Sequence, residues 1–199
     1  MAKKRLKSSI RQGQIIDAAR KLVVKHGSEH VTICKISKEV GISEGAIYRH
    51  FKSKQDLLSG LADNIGTDLF SDISKNSDSS FKSLDRIQSI LHNHFSKIQQ
   101  RRGLSFLVIA EIISLGDKKL NRKIYDIISK YINTLQELLI KGVQSQEIPE
   151  DINTEAAAIF LFSMIQGLVN IWALSNYSID IENKFSELWK FFEDAILKI

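Results

Sequence analysis

The spacing of apolar positions predicts helices from one end of the chain to the other. Across residues 11–26, Ile15, Ile16, Ala19, Leu22 and Val23 recur at helical intervals, and Gly27 stands where a C-terminal cap belongs. Thr32 offers a hydroxyl as N-cap to a short helix over 33–40, which Gly41 ends, and Ser43 offers the same to a third helix reaching about His50. The run Ser53-Lys54-Gln55-Asp56 approximates a capping box for a fourth, continued by Leu57, Leu58, Leu61 and Ile65 to about Ile73. Residues 74–80 are polar and without large apolar side chains, so they predict a loop. Five further helices follow over 81–100, 104–115, 118–146, 153–175 and 181–197, with breaks at Gly103, Gly116-Asp117, Ile148 to Asp151 and Asn176 to Asp180. The fold class is therefore all-α, with about nine helices. An N-terminal three-helix helix-turn-helix domain precedes a larger helical domain.

Composition narrows this only where it is uneven. One proline in 199 residues agrees with helices rather than a turn-rich β architecture. The net charge of +5 hides a division: residues 1–59 carry +8 and residues 60–199 carry −3. A basic first third on a slightly acidic remainder is the electrostatic footprint of a nucleic-acid-binding head, though a solvated basic surface gives the same sum. The divisions expected are a basic flexible arm (1–10), a basic helical head (11–58, with its helix-turn-helix at 32–51) and a larger helical domain (59–199). Cys34 stands alone, which excludes an internal disulfide and a cysteine-based zinc site. The basic start is not followed by an apolar segment, and with no uncharged apolar run of about 18 residues no membrane span is expected. The location implied is cytoplasmic and nucleoid-associated.

The segment from Thr32 to Phe51 carries most of the functional argument. Ile33, Ile36, Val40, Ile42 and Ile47 can converge on one small core, and Gly41 permits the sharp turn that sets two short helices across each other. Ser43, Glu44, Gly45 and Ala46 keep the start of the second helix small and polar, as close approach to base edges requires. Tyr48, Arg49 and His50 follow, within reach of phosphates or bases. Lys54 places a charge beside the free N–H groups of the next helix. Gly27, Thr32, Gly41-Ile42-Ser43, Gly45, Tyr48, His50-Phe51 and Ser53-Lys54 together resemble the DNA-binding domain of the TetR family of bacterial repressors. The resemblance covers about residues 11–60, and Ser37 departs from it where the family usually has alanine. It implies that Thr32, Tyr48, His50 and Lys54 mainly hold the DNA backbone while Ser43, Glu44, Gly45, Ala46 and Arg49 face the groove. Arg49 either reads a guanine through two hydrogen bonds or clamps a phosphate. Phe51 and Ile47 are expected in the core, and Cys34 is expected to pack in the second helix.

The resemblance further implies that 11–58 is the DNA-binding domain and that 59–199 is a C-terminal domain that dimerises and holds a ligand. In residues 153–175, Phe160, Met164, Leu168, Ile171 and Trp172 belong to a helix apolar on almost all sides, which needs cover on both faces. Phe185, Leu188, Trp189 and Phe192 form a stripe on the last helix. These nine residues are the expected homodimer interface. Pairing about a two-fold axis would demand a palindromic double-stranded operator. Phe95, Phe106, Ile109, Ile113, Tyr125, Ile128 and Phe162, with Gln166, are candidates for an apolar effector pocket, or else they simply fill the core. His92 and His94 point to different sides of a helix, so no metal is expected, and His94 reads as a core or rim histidine.

Three functions fit to different degrees. The first is a repressor released from its operator by a small apolar effector. The second is a DNA-bound scaffold that couples chromosome position to a protein partner. An enzyme finds little support: there is no phosphate loop, metal-spaced histidine set or nucleophile motif, and no cofactor is implied.

Overall fold

A computed structural model of the chain describes residues 8–26, 32–75 and 82–197. Its helices are α1 (Ser8–His26), α2 (Ile33–Val40), α3 (Glu44–Tyr48), α4 (Lys54–Lys75), α5 (Ser83–Gln100), α6 (Leu104–Leu115), α7 (Lys118–Gln144), α8 (Thr154–Leu174) and α9 (Ile181–Leu197). Each helix expected from the sequence is present, with ends displaced by a few residues. Ser8, Ser9 and Ile10, expected in a flexible arm, are already helical, and Ser74 and Lys75, expected in a loop, still belong to α4. Residues 1–7, the Gly27 cap and residues 76–80 of the expected loop lie outside the described residues.

Local chemistry explains the boundaries. The Thr32 hydroxyl accepts from the Lys35 N–H at 3.2 Å, and the Asn153 carboxamide oxygen accepts from the Ala156 N–H at 2.9 Å, so each side chain satisfies an orphan donor of the first turn. Asp56 N–H donates to the Ser53 hydroxyl at 3.1 Å while the Asp56 carboxylate accepts from Lys52 N–H at 2.9 Å, a reciprocal cap at the start of α4. At the other end of α2, Gly41 adopts φ 72°, and the next N–H, of Ile42, returns to the Ser37 carbonyl at 3.0 Å. That left-handed closure satisfies the last carbonyls and suits glycine.

By its contacts the chain divides into a head unit, Met1–Ile65 with Leu107–Ile124, and a body unit, Gly66–Phe106 with Tyr125–Ile199. The head unit thus takes in most of α6 and the start of α7, beyond the region 11–58 expected for DNA binding. Its core contains Ile15, Ile16 and Ala19 of α1, Ile36 of α2, Ile47 of α3, Phe51, and Leu57, Leu58 and Leu61 of α4. The body core is built from Ile87, Leu91 and Phe95 of α5, Tyr131 and Leu135 of α7, Leu161 and Ile165 of α8, and Phe185 and Trp189 of α9. Phe95 stacks on Phe185 with ring centres 4.9 Å apart, and Tyr131 meets Phe162 edge-on at 6.3 Å.

Two sequence expectations need correction. Cys34 is exposed rather than packed, because Ile36 and Ser37 take the inward positions of α2. And α8 is, by length and composition, apolar enough to cross a membrane, with a mean hydropathy of 1.8. Its inward side accounts for much of that apolarity: Ala157, Ala158, Leu161, Met164, Ile165, Leu168, Val169 and Trp172 are buried within the body.

Candidate nucleic-acid interface

The head presents α3 on a base set by α1, α2 and α4. α1 packs on α2 and α2 on α3. Ile36 and Ile47 are fully buried and Phe51 nearly so, which places all three in the core, as the apolar pattern required. Ser37 is buried as well. Its hydroxyl donates to the Cys34 carbonyl at 2.8 Å, so a polar side chain sits at this crossing without an unmet hydrogen bond. Gly60 of α4 lies so close to Ile16 and Phe51 that an added Cβ would come within 2.9 Å of the Ile16 Cδ1 and 3.0 Å of the Phe51 Cε1. The absence of a side chain there lets α4 seat the end of the motif directly.

Around this core the nine residues expected to meet DNA are at least partly accessible. Thr32, Ser43, Glu44, Gly45, Tyr48 and Arg49 are exposed, and Ala46, His50 and Lys54 are half-buried. A Cβ built on Gly45 would meet nothing within 4 Å, so the first turn of α3 is open on that side. Thr32 and Ser43 use their hydroxyl oxygens as cap acceptors, Ser43 from the Ala46 N–H at 3.2 Å. Each O–H remains able to donate, which is the chemistry a phosphate oxygen accepts. The His50 Nδ1 lies 3.3 Å from the Ser8 hydroxyl, placing the first turn of α1 beside the end of the motif.

The body residues separate differently from expectation. Of the effector-pocket candidates, Ile109 and Ile113 fall in the head unit and the other six in the body unit. Phe95, Phe106 and Ile109 are buried, Ile128, Phe162 and Gln166 are half-buried, and Ile113 and Tyr125 are exposed, Ile113 by 64%. His94 is buried with its Nδ1 3.2 Å from the Tyr131 hydroxyl, and Tyr131 touches Phe162; these contacts join α5, α7 and α8 in one aromatic cluster. A cleft of about 330 Å³ in the body is lined by His92, Phe95, Ser96, Asp180, Asn183 and Phe185, among others.

Of the residues expected to meet a partner chain, Met164, Leu168, Trp172, Phe185, Trp189 and Phe192 are buried within the subunit, Trp189 to 2% exposure. They are core residues of the body rather than its surface. Leu188 is half-buried, and Phe160 and Ile171 are exposed. The sequence reading missed Ile159, Leu174 and Phe191, which lie on the outer faces of α8 and α9 with Leu174 84% and Phe191 67% exposed. Phe191 had a readable signal: it is an aromatic off the inward stripe, beside Lys190 and one turn from Glu187 and Asp194.

A short capped helix held open on a helical base, with a basic head and a helical body, defines a helix-turn-helix DNA-binding protein. Residues 15–61 match the model of bacterial regulatory proteins of the tetR family, and residues 62–194 match that of the C-terminal region of YsiA-like proteins. The chain belongs to the TetR family and is a DNA-binding transcriptional regulator rather than an enzyme. It is 27% identical over 168 residues to the fatty acid metabolism regulator protein of Bacillus subtilis, covering 84% of this chain and 86% of that one. It is also 27% identical over 182 residues to the nucleoid occlusion factor SlmA of Vibrio cholerae, covering 90% and 92%. Among solved structures, the transcriptional regulator FadR of Bacillus subtilis, in complex with stearoyl-CoA, superposes with a TM-score of 0.79 at 25% identity, covering 90% of this chain and 96% of that one.

Proposed function

We propose that the protein is a homodimeric repressor that binds a palindromic operator through α3 and is released by a long-chain acyl thioester, acting in the cytoplasm at the nucleoid. The observation that carries the ligand class is the likeness, over nearly the whole chain, to a fatty acid regulator whose structure holds stearoyl-CoA. Within the chain, the His94–Tyr131–Phe162 cluster, with Phe95, Ile128 and Gln166, supplies apolar wall and a few polar groups on three helices of one unit, the composition such a ligand needs. The exposed Ile113 and Tyr125 are left out of that set.

Dimerisation is assigned to the outer faces of α8 and α9. Ile159, Phe160, Ile171, Leu174 and Phe191 form a run of exposed large apolar side chains on these two helices, and a second copy of the same face would cover them. Arg49 and the first turn of α3 face the groove, and Thr32, Tyr48, His50 and Lys54 hold phosphates.

The test is selection of a duplex from a random library, followed by titration of the complex with stearoyl-CoA. Enrichment of a palindrome that stearoyl-CoA releases is the expected result. A palindrome indifferent to the thioester removes the ligand class but not the repressor. The likeness to SlmA supports a second reading, a DNA-bound scaffold. Genome-wide footprinting separates the two, because many dispersed sites suit a scaffold and one or two promoter sites suit a repressor.

A further inference from the structure

Three helices cross between the head unit and the body unit: α4 at Ile65/Gly66, α6 at Phe106/Leu107 and α7 at Ile124/Tyr125. In the head, a lysine of α7 reaches across to α4. The Lys123 ammonium of α7 lies 2.7 Å from the Asp63 carboxylate and donates to the Ser59 hydroxyl at 2.8 Å and to the Ser59 carbonyl at 3.2 Å. Ser59 and Asp63 are four residues apart and so share one side of α4, one above the other. Between them in sequence is Gly60, whose bare backbone rests on Ile16 and Phe51. The turn of α4 that Lys123 grips is therefore the turn that seats the end of the DNA-reading motif. In the body the same two helices meet again: the Ile127 side chain is in ordinary contact range, 3.5 Å, of a Cβ built at Gly66, and the Lys130 ammonium lies 4.8 Å from the centre of the Phe70 ring.

We propose that Lys123 is the positioning residue that couples the state of the body to the setting of α3, by carrying displacement of α7 to Ser59 and Asp63 and through Gly60 to Phe51. This rests on the reading of the chain as a two-state DNA-binding regulator and adds the residue through which the states communicate. An exposed ion pair contributes little stability, and Asp63 is well exposed. The geometry nevertheless gives one cation three oxygen partners on a single helical turn, which fixes position more than it adds stability. Loss of the ammonium should thus affect coupling more than folding.

Coupling is reciprocal, so DNA at the head must perturb the body by the same free energy with which the body perturbs the head. Both tryptophans, Trp172 and Trp189, lie in the body, and their emission reports on it without a ligand. The wild-type protein should change its tryptophan emission when it binds the selected duplex. Lys123→Met should keep its melting temperature and bind the duplex within about threefold, yet show an emission response smaller by about fivefold or more. The exchanged pair Lys123→Asp with Asp63→Lys should restore the response if charge pairing carries it. A wild-type emission indifferent to the duplex, or a full response in Lys123→Met, overturns the proposal. Stearoyl-CoA forms a separate arm: its failure to release the wild-type complex would count against the ligand class alone, since the emission test does not use it.

Discussion

Gly60 and Gly45 carry the same residue type for opposite reasons, and the contrast can be tested at single positions. At Gly60 an alanine gains helix propensity of roughly 1 kcal/mol but drives its methyl into Ile16 and Phe51. Overpacking of this kind costs about 1–3 kcal/mol, so Gly60→Ala should lower stability in a denaturant melt and loosen the end of the motif. At Gly45 the methyl meets open space. Gly45→Ala should therefore leave the melt unchanged or improve it, while weakening duplex binding if that face lies against base edges. A Gly45→Ala protein that binds as tightly as wild type would place the face away from DNA. Arg49, exposed at the end of α3, can be resolved the same way. Arg49→Ala should cost about 1–3 kcal/mol on the selected duplex and less on a random one. Equal losses on both would make it a phosphate clamp.

The elements were legible because their signals are local. Thr32, Ser43, Ser53 and Asn153 each cap the helix that follows, and an apolar residue every third or fourth position marks a face whatever lies against it. What lies against it was not legible where a helix is apolar all round. On α8 both sides carry large side chains, and only the packing shows that Leu161, Ile165 and Trp172 turn inward while Phe160, Ile171 and Leu174 turn outward. The tie from Lys123 to Ser59 spans 64 residues and leaves no periodic trace, so no sequence pattern could have announced it. The division of faces yields a paired prediction. Trp189→Ala should destabilise the subunit by about 3–5 kcal/mol, as loss of a buried aromatic does. Phe191→Glu should leave the melting of the subunit largely intact and shift the protein to monomer in analytical ultracentrifugation. A dimer that survives Phe191→Glu would move the partner surface elsewhere.

Across the whole molecule the charge division decides what salt does. The +8 of residues 1–59 and the −3 of residues 60–199 mean that attraction to DNA comes from the first 59 residues while the remainder weakly opposes it. Each phosphate neutralised releases condensed counterions, so the slope of log affinity against log salt counts the contacts. A dimer with both heads engaged makes about twice the contacts of one head, and two-fold pairing places the α3 copies about 34–36 Å apart, or a multiple of that, on the duplex. The Phe191→Glu monomer should therefore bind a half-site with about half the salt slope of the wild-type dimer on the full palindrome. Inserting about five base pairs between half-sites turns one of them to the opposite side of the duplex, since a turn takes about 10 base pairs, and should reduce the wild-type slope to the monomer's. If the slope is the same for monomer and dimer, only one head contacts DNA at a time. The paired faces of α8 and α9 would then serve stability rather than operator symmetry.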